Sequence, residues 1–110
     1  MWVFLNDSFL SIVAHRHQPN ALLVRARVAG DIERAFPGAT VTNTPEADYP
    51  FRATLPRAVV GERLATLAGD LGYTNFKNSV REPDRHDAYF DTWATMRQFQ
   101  NQRKEEPPHA

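Results

Sequence analysis

The chain has 110 residues, 13 basic and 13 acidic side chains, and no cysteine. That length suits one domain with a modest core, and the missing cysteines exclude disulfides, thiolate nucleophiles and cysteine-ligated zinc. Zero formal net charge removes the basic excess of a dedicated nucleic-acid binder and the acidic excess of a nucleic-acid mimic. Electrostatic recognition therefore has to come from local segregation of charge.

Residues 2–5 form a short aromatic and β-branched run, followed by the turn pair Asn6-Asp7. Residues 9–14 resume strand character, which predicts a hairpin across Asn6-Asp7-Ser8. The polar segment 15–20 contains Pro19 and reads as a loop, because proline cannot continue a ladder. In residues 22–28, Leu22, Val24, Ala26 and Val28 alternate with Leu23, Arg25 and Arg27. This is the two-residue period of a half-buried strand with arginines on its outer face.

Gly30-Asp31 opens a short helix with Ile32, Ala35 and Phe36 on one face, stopped by Pro37-Gly38. Residues 40–43 suit a short strand, and residues 44–50 form a connection pinned by Pro45 and Pro50. Residues 51–55 repeat the strand pattern, with Phe51, Ala53 and Leu55 inward and Arg52 and Thr54 outward. From Pro56, a helix carries the stripe Val60, Leu64, Leu67 and Leu71, closed by Gly72 at the expected C-cap. A helical turn capped by Thr74 or Asn75 turns Phe76 and Val80 inward. Asp84 is the predicted N-cap of the last helix, whose stripe of Tyr89, Phe90, Trp93 and Met96 is expected to dock.

The order is β-β-β-α-β-β-α-α-α, an α+β fold in which an antiparallel sheet of about five strands carries helices on one face. Residues 1–102 are expected to form a single domain, and residues 103–110 a disordered tail with nothing to bury. The N-terminus is too short for a signal-peptide core and lacks a basic leader. No run approaches the ~18 apolar residues that span a bilayer, so the expectation is a soluble, cytoplasmic protein.

Motifs that carry chemistry are scarce. His15 and His17, two apart in an extended loop, could chelate a divalent metal with His86, Asp84 or Asp87; the alternative is a polar loop that contains two histidines. Asp84, Asp87 and Asp91 could orient His86 as a general base, or simply complement a helix dipole. No serine sits in a GxSxG elbow, and no glycines form GxGxxG or a P-loop. No cofactor and no enzymatic activity are expected.

Arg25, Arg27 and Arg52 fall together on the outer sheet face if their strands are neighbours. Guanidinium groups suit phosphates or carboxylates on a partner; ion pairing within a solvated face is the alternative. The outward positions of these two strands supply no aromatic side chain for base stacking. Some of the twelve aromatic residues should remain exposed, Phe90 and Phe99 foremost.

Met1-Trp2-Val3-Phe4 leading into Phe9-Leu10-Ser11-Ile12-Val13, then Leu22-Leu23-Val24-Arg25-Ala26-Arg27, forms a connected pattern. It continues through Thr44-Pro45, Ala47-Asp48-Tyr49, Asn75-Phe76-Lys77-Asn78-Ser79-Val80 and Arg85-His86-Asp87-Ala88-Tyr89 to Trp93. In these segments, up to about Met96, the chain resembles a family of small uncharacterised proteins encoded by bacteriophages and bacteria. The resemblance brings no activity, ligand or catalytic residue. It implies a setting in which small proteins commonly bind and block a host protein, CRISPR components included.

The expectation is a non-enzymatic protein-binding module, an anti-CRISPR-like inhibitor of a host defence complex. Its expected contacts are Arg25, Arg27, Arg52, Lys77, Arg85 and Phe90. The alternatives are a nucleic-acid-binding accessory protein using the same cations and Arg81, and a small metal-dependent enzyme using His15, His17 and His86. Either a monomer or a homodimer paired through an exposed sheet edge is compatible with this reading.

Overall fold

A computed structural model describes residues 1–105, with side chains through 104. It contains strands β1 (Trp2–Leu5), β2 (Ser8–Ala14), β3 (Ala21–Ala26), β4 (Thr42–Asn43) and β5 (Phe51–Pro56). The helices are α1 (Asp31–Ala35), α2 (Arg57–Gly69), α3 (Phe76–Ser79) and α4 (Pro83–Glu105). The fold is α+β, as the order of elements predicts. The chain divides into two compact units, Met1–Tyr73 and a second beginning at Thr74.

In the first unit the five strands form one antiparallel sheet in the order β1-β2-β3-β5-β4. The two-residue period sorts its side chains. Ile12, Val24 and Ala53 stand in register across β2, β3 and β5, with Leu10 and Ala26 on the same face. All five are buried, and α1 and α2 cover them with Ile32, Ala35, Phe36 and Val60. Burial of these side chains is the dominant favourable term for a sheet open on its other face.

Local chemistry explains the elements between the strands. Gly30 takes a left-handed conformation (φ 91°) at the start of α1, which a residue with a Cβ rarely adopts. Asp31 then sits in the first helical turn, fully buried, where it accepts from the Phe9 amide at 3.0 Å and pairs with Arg34. This carboxylate ties the β1–β2 hairpin to α1. At the other end of the sheet, the Arg57 amide and guanidinium donate to the carbonyls of Asn20 (2.8 Å) and Pro19 (2.7 Å), anchoring the β2–β3 loop to the start of α2.

Several boundaries depart from expectation. Strand β3 ends at Ala26, so Val28, expected inward, is exposed. Helix α2 ends at Gly69 with Asp70 as its cap, which leaves Leu71 exposed beyond the stripe and Gly72 outside the cap. Asn75 caps α3, its side chain accepting from the Asn78 amide. Pro83 takes the first position of α4, where its missing N–H costs nothing; Asp84 therefore lies inside the first turn instead of capping it. Arg103, Lys104 and Glu105, assigned by sequence to the tail, belong to α4. The remainder of that tail lies outside the described residues.

Leu10 has no exposed surface and lies in the core cluster. Leu10→Ala should lower unfolding free energy by about 2–5 kcal/mol, measured by urea denaturation followed by far-ultraviolet circular dichroism.

Candidate functional site

Two surfaces contain the expected contact residues, one in each unit. The first is the outer face of the sheet. Ser11, Arg25, Arg52 and Thr42 stand in one row across β2, β3, β5 and β4. Like charges directly opposite each other destabilise a strand pair, and here Arg25 faces Arg52. Local partners offset that repulsion. Arg25 donates to Ser11 Oγ at 2.8 Å, and Arg52 Nε donates to the Tyr49 carbonyl at 3.2 Å.

Tyr49 explains why three arginines gather here. The guanidinium carbons of Arg25 and Arg27 lie 4.5 and 4.2 Å from its ring centroid, and the ring is buried. Arg27 also donates to both the carbonyl and the carboxylate of Asp48, each at 3.1 Å. That hydrogen bond, with desolvation opposing it, raises the Arg27 pKa above its ordinary value. The arginines thus hold the β4–β5 connection against the sheet by cation–π contact and hydrogen bonding.

The same outer face also carries aromatic residues that alternation within β3 and β5 alone does not reveal. Trp2 pairs with Ser11, and Phe4 pairs with Phe9, on β1 and β2. The Phe9 ring lies 5.7 Å from Trp2 and 4.7 Å from Phe4, and Trp2 is exposed. The register between β1 and β2 was the missing information.

The second surface is on α3 and α4. Arg85, expected as a contact residue, is buried, with Nε 3.0 Å from Glu82 and Nη1 3.4 Å from the Tyr89 hydroxyl. Its donors are engaged within the unit. Tyr89 is buried with the Phe76 ring stacked against it at 5.7 Å. Phe90, Trp93 and Met96, expected to dock along with Tyr89, remain exposed, and so does Phe99. Lys77 Nζ lies 4.0 Å from the Trp93 ring centroid and 5.5 Å from that of Phe90. Lys77 and Phe90 therefore belong to one aromatic and cationic patch.

From residue 93 to residue 104, every residue of α4 is exposed. A lone helical segment of that length is marginal in water. Its local supports are ring–guanidinium pairs one turn apart: Arg97 over Trp93 at 5.5 Å and Arg103 over Phe99 at 5.0 Å.

The His15 and His17 rings lie 6.3 Å apart. His15 and His17 lie in the first unit and His86 in the second. His15 Nδ1 accepts from the amides of His17 and Gln18, both at 3.1 Å, so that nitrogen organises the loop. Among the described residues, no three His, Asp or Glu side chains converge in a metal-binding group. A cleft of about 240 Å³ contains Arg34 and Arg63, and both donate to backbone carbonyls, those of Asp7 and Ala35.

Tyr49→Ala should destabilise the first unit by about 3 kcal/mol, the scale of truncating a buried aromatic residue. Asp48→Ala, at a largely exposed carboxylate, should cost at most about 1 kcal/mol. Equilibrium urea denaturation of the two variants checks both values.

In comparisons with models of known protein families, with curated proteins and with solved structures, the chain matches none.

Proposed function

We propose that this chain is a non-catalytic protein-binding module whose contact surface is the outer half of α4, extended by Lys77 and Phe90. The observation that carries this reading is the run of exposed apolar side chains on a helical segment that nothing covers among the described residues. Phe90, Trp93, Met96 and Phe99 follow one another at intervals of three, with exposures of 45%, 41%, 57% and 47%. Consecutive residues at that spacing meet on a helix surface, and the ridge they form winds around α4, so that Phe90 and Phe99 lie about 180° apart. Large aromatic residues and methionine with nearby arginine are the composition enriched in protein interfaces. Scattered exposed hydrophobics need no explanation, whereas a contiguous ridge does.

The partner class to examine first is a subunit of a host defence complex, a CRISPR effector among them, with this protein as its inhibitor. Resemblance to the phage and bacterial family supports that choice. Arg25, Arg27 and Arg52 enter the reading differently. Their hydrogen bonds and ring contacts are spent on Tyr49, Asp48 and Ser11, which makes them structural supports of the first unit. Reversing all three charges should therefore lower stability before it acts on binding.

A second reading, single-stranded nucleic-acid binding, is favoured by Trp2, Phe4 and Phe9 sharing a sheet face with Arg25 and Arg52. It predicts affinity that falls steeply with salt.

The test is quantitative affinity capture from a bacterial host with nuclease treatment, comparing the wild type with Met96→Glu/Phe99→Glu. Circular dichroism and the urea midpoint control for folding. The expected result is one stoichiometric protein partner whose recovery falls by at least about tenfold in the double variant. Equal recovery by both proteins, or recovery of nucleic acid alone before nuclease, would overturn the reading.

A further inference from the structure

We infer that the occupant of this ridge is an acidic amphipathic helix of the partner protein, an inference that rests on the protein-binding reading above. Three observations lead to it.

The first is the spacing of a seam along α4. Arg85, Tyr89, Thr92, Met96, Phe99 and Arg103 recur at intervals of four, three, four, three and four. That 3.5-residue period aligns side chains to meet another helix along a shallow crossing. The beginning of the seam is already covered: Arg85 and Tyr89 are buried and Thr92 is half-buried, with α3 supplying Phe76 against Tyr89. The continuation at Met96, Phe99 and Arg103 is exposed. One seam thus has a covered half and a bare half.

The second is charge. Between Thr92 and Lys104, α4 carries Arg97, Arg103 and Lys104 and no aspartate or glutamate. Of the acids of α4, Asp84, Asp87 and Asp91 precede this stretch and Glu105 ends the helix just after it. Lys77 adds a further cation over Phe90 and Trp93. A second copy pairing over residues 93–104 would bring the same three cations against each other. A helix with glutamate or aspartate beside its apolar seam complements them, because Arg103 stands in the seam and the Arg97 guanidinium reaches its edge over Trp93.

The third is the placement of those cations. Arg97 and Arg103 lie against Trp93 and Phe99 one turn earlier, and Lys77 against Trp93. Rings hold the charged groups against the apolar ridge, which lowers the ordering cost of pairing them.

The probes are two designed helical peptides of about three heptads, each with leucine along the seam. One has glutamate at the flanking positions and the other lysine. Binding to the full-length protein is followed by Trp93 fluorescence in a Trp2→Phe background, and by sedimentation for stoichiometry. The glutamate peptide should bind one to one and at least about tenfold more tightly than the lysine peptide. Arg97→Glu/Arg103→Glu/Lys104→Glu should reverse that order, and Met96→Glu/Phe99→Glu should weaken the glutamate peptide by a similar factor.

Equal affinity for the two peptides, or no binding of either, would overturn the inference. So would wild-type self-association lost in Met96→Glu/Phe99→Glu, which would make a second copy the occupant. Tighter binding to phosphatidylglycerol vesicles or to oligothymidine than to the glutamate peptide would overturn it too. If ridge-dependent capture of a cellular partner persists in the charge-reversed variant, the acidic helix fails and the protein-binding reading stands. If Met96→Glu/Phe99→Glu alters neither capture nor peptide binding, both fail.

Discussion

The pleat of the sheet, which sends alternate side chains to opposite faces, is the constraint on which the first unit depends. It places Ile12, Val24 and Ala53 in one apolar row under the helices. On the adjacent row it forces Ser11, Arg25 and Arg52 to the other face, with the two arginines opposed. A one-residue slip would exchange these rows and bury guanidinium groups, so the register is strongly specified. The opposed cations are then tolerable because each has an acceptor, and because Tyr49 lies against Arg25 and Arg27. What resembles an exposed basic patch in the sequence is, physically, the attachment point of the β4–β5 connection.

Helix α4 poses the opposite problem. Its early turns have buried positions at Arg85 and Tyr89, whereas residues 93–104 are all exposed. On the proposed reading, a segment that contributes so little to its own unit while displaying Trp93, Met96 and Phe99 serves association rather than folding. In that proposal the cations beside these side chains give the association a sign, and the seam period gives it a geometry.

How much of this was legible in the sequence depended on the range of the interaction concerned. Alternation in β3 and β5 identified the inward residues Val24, Ala26 and Ala53, because that pattern is local. It overran at Val28, where the chain leaves the ladder although the apolar pattern continues for one more step. The role of Arg25 and Arg27 was hidden because Tyr49 reaches them from a loop, and nothing in local spacing predicts a loop ring beneath a strand arginine and the arginine just past the strand's end. Trp2, Phe4 and Phe9 were likewise recognisable as strand residues, but their shared face follows only from the β1–β2 register. In α4, apolar periodicity marked Tyr89, Phe90, Trp93 and Met96 as one docking stripe. Periodicity tells which face a residue occupies, not whether another element covers it, and only Tyr89 of the four is buried.

The most direct measurement of the central claim is site-specific photocrosslinking in a bacterial host, with the reactive residue placed at Met96 in one variant and at Gln98 in another. Both positions are exposed on the same stretch of α4, but they lie about 160° apart around the helix. The account predicts one protein adduct from Met96 and little from Gln98. Equal adducts from both positions, or none from Met96, would contradict it.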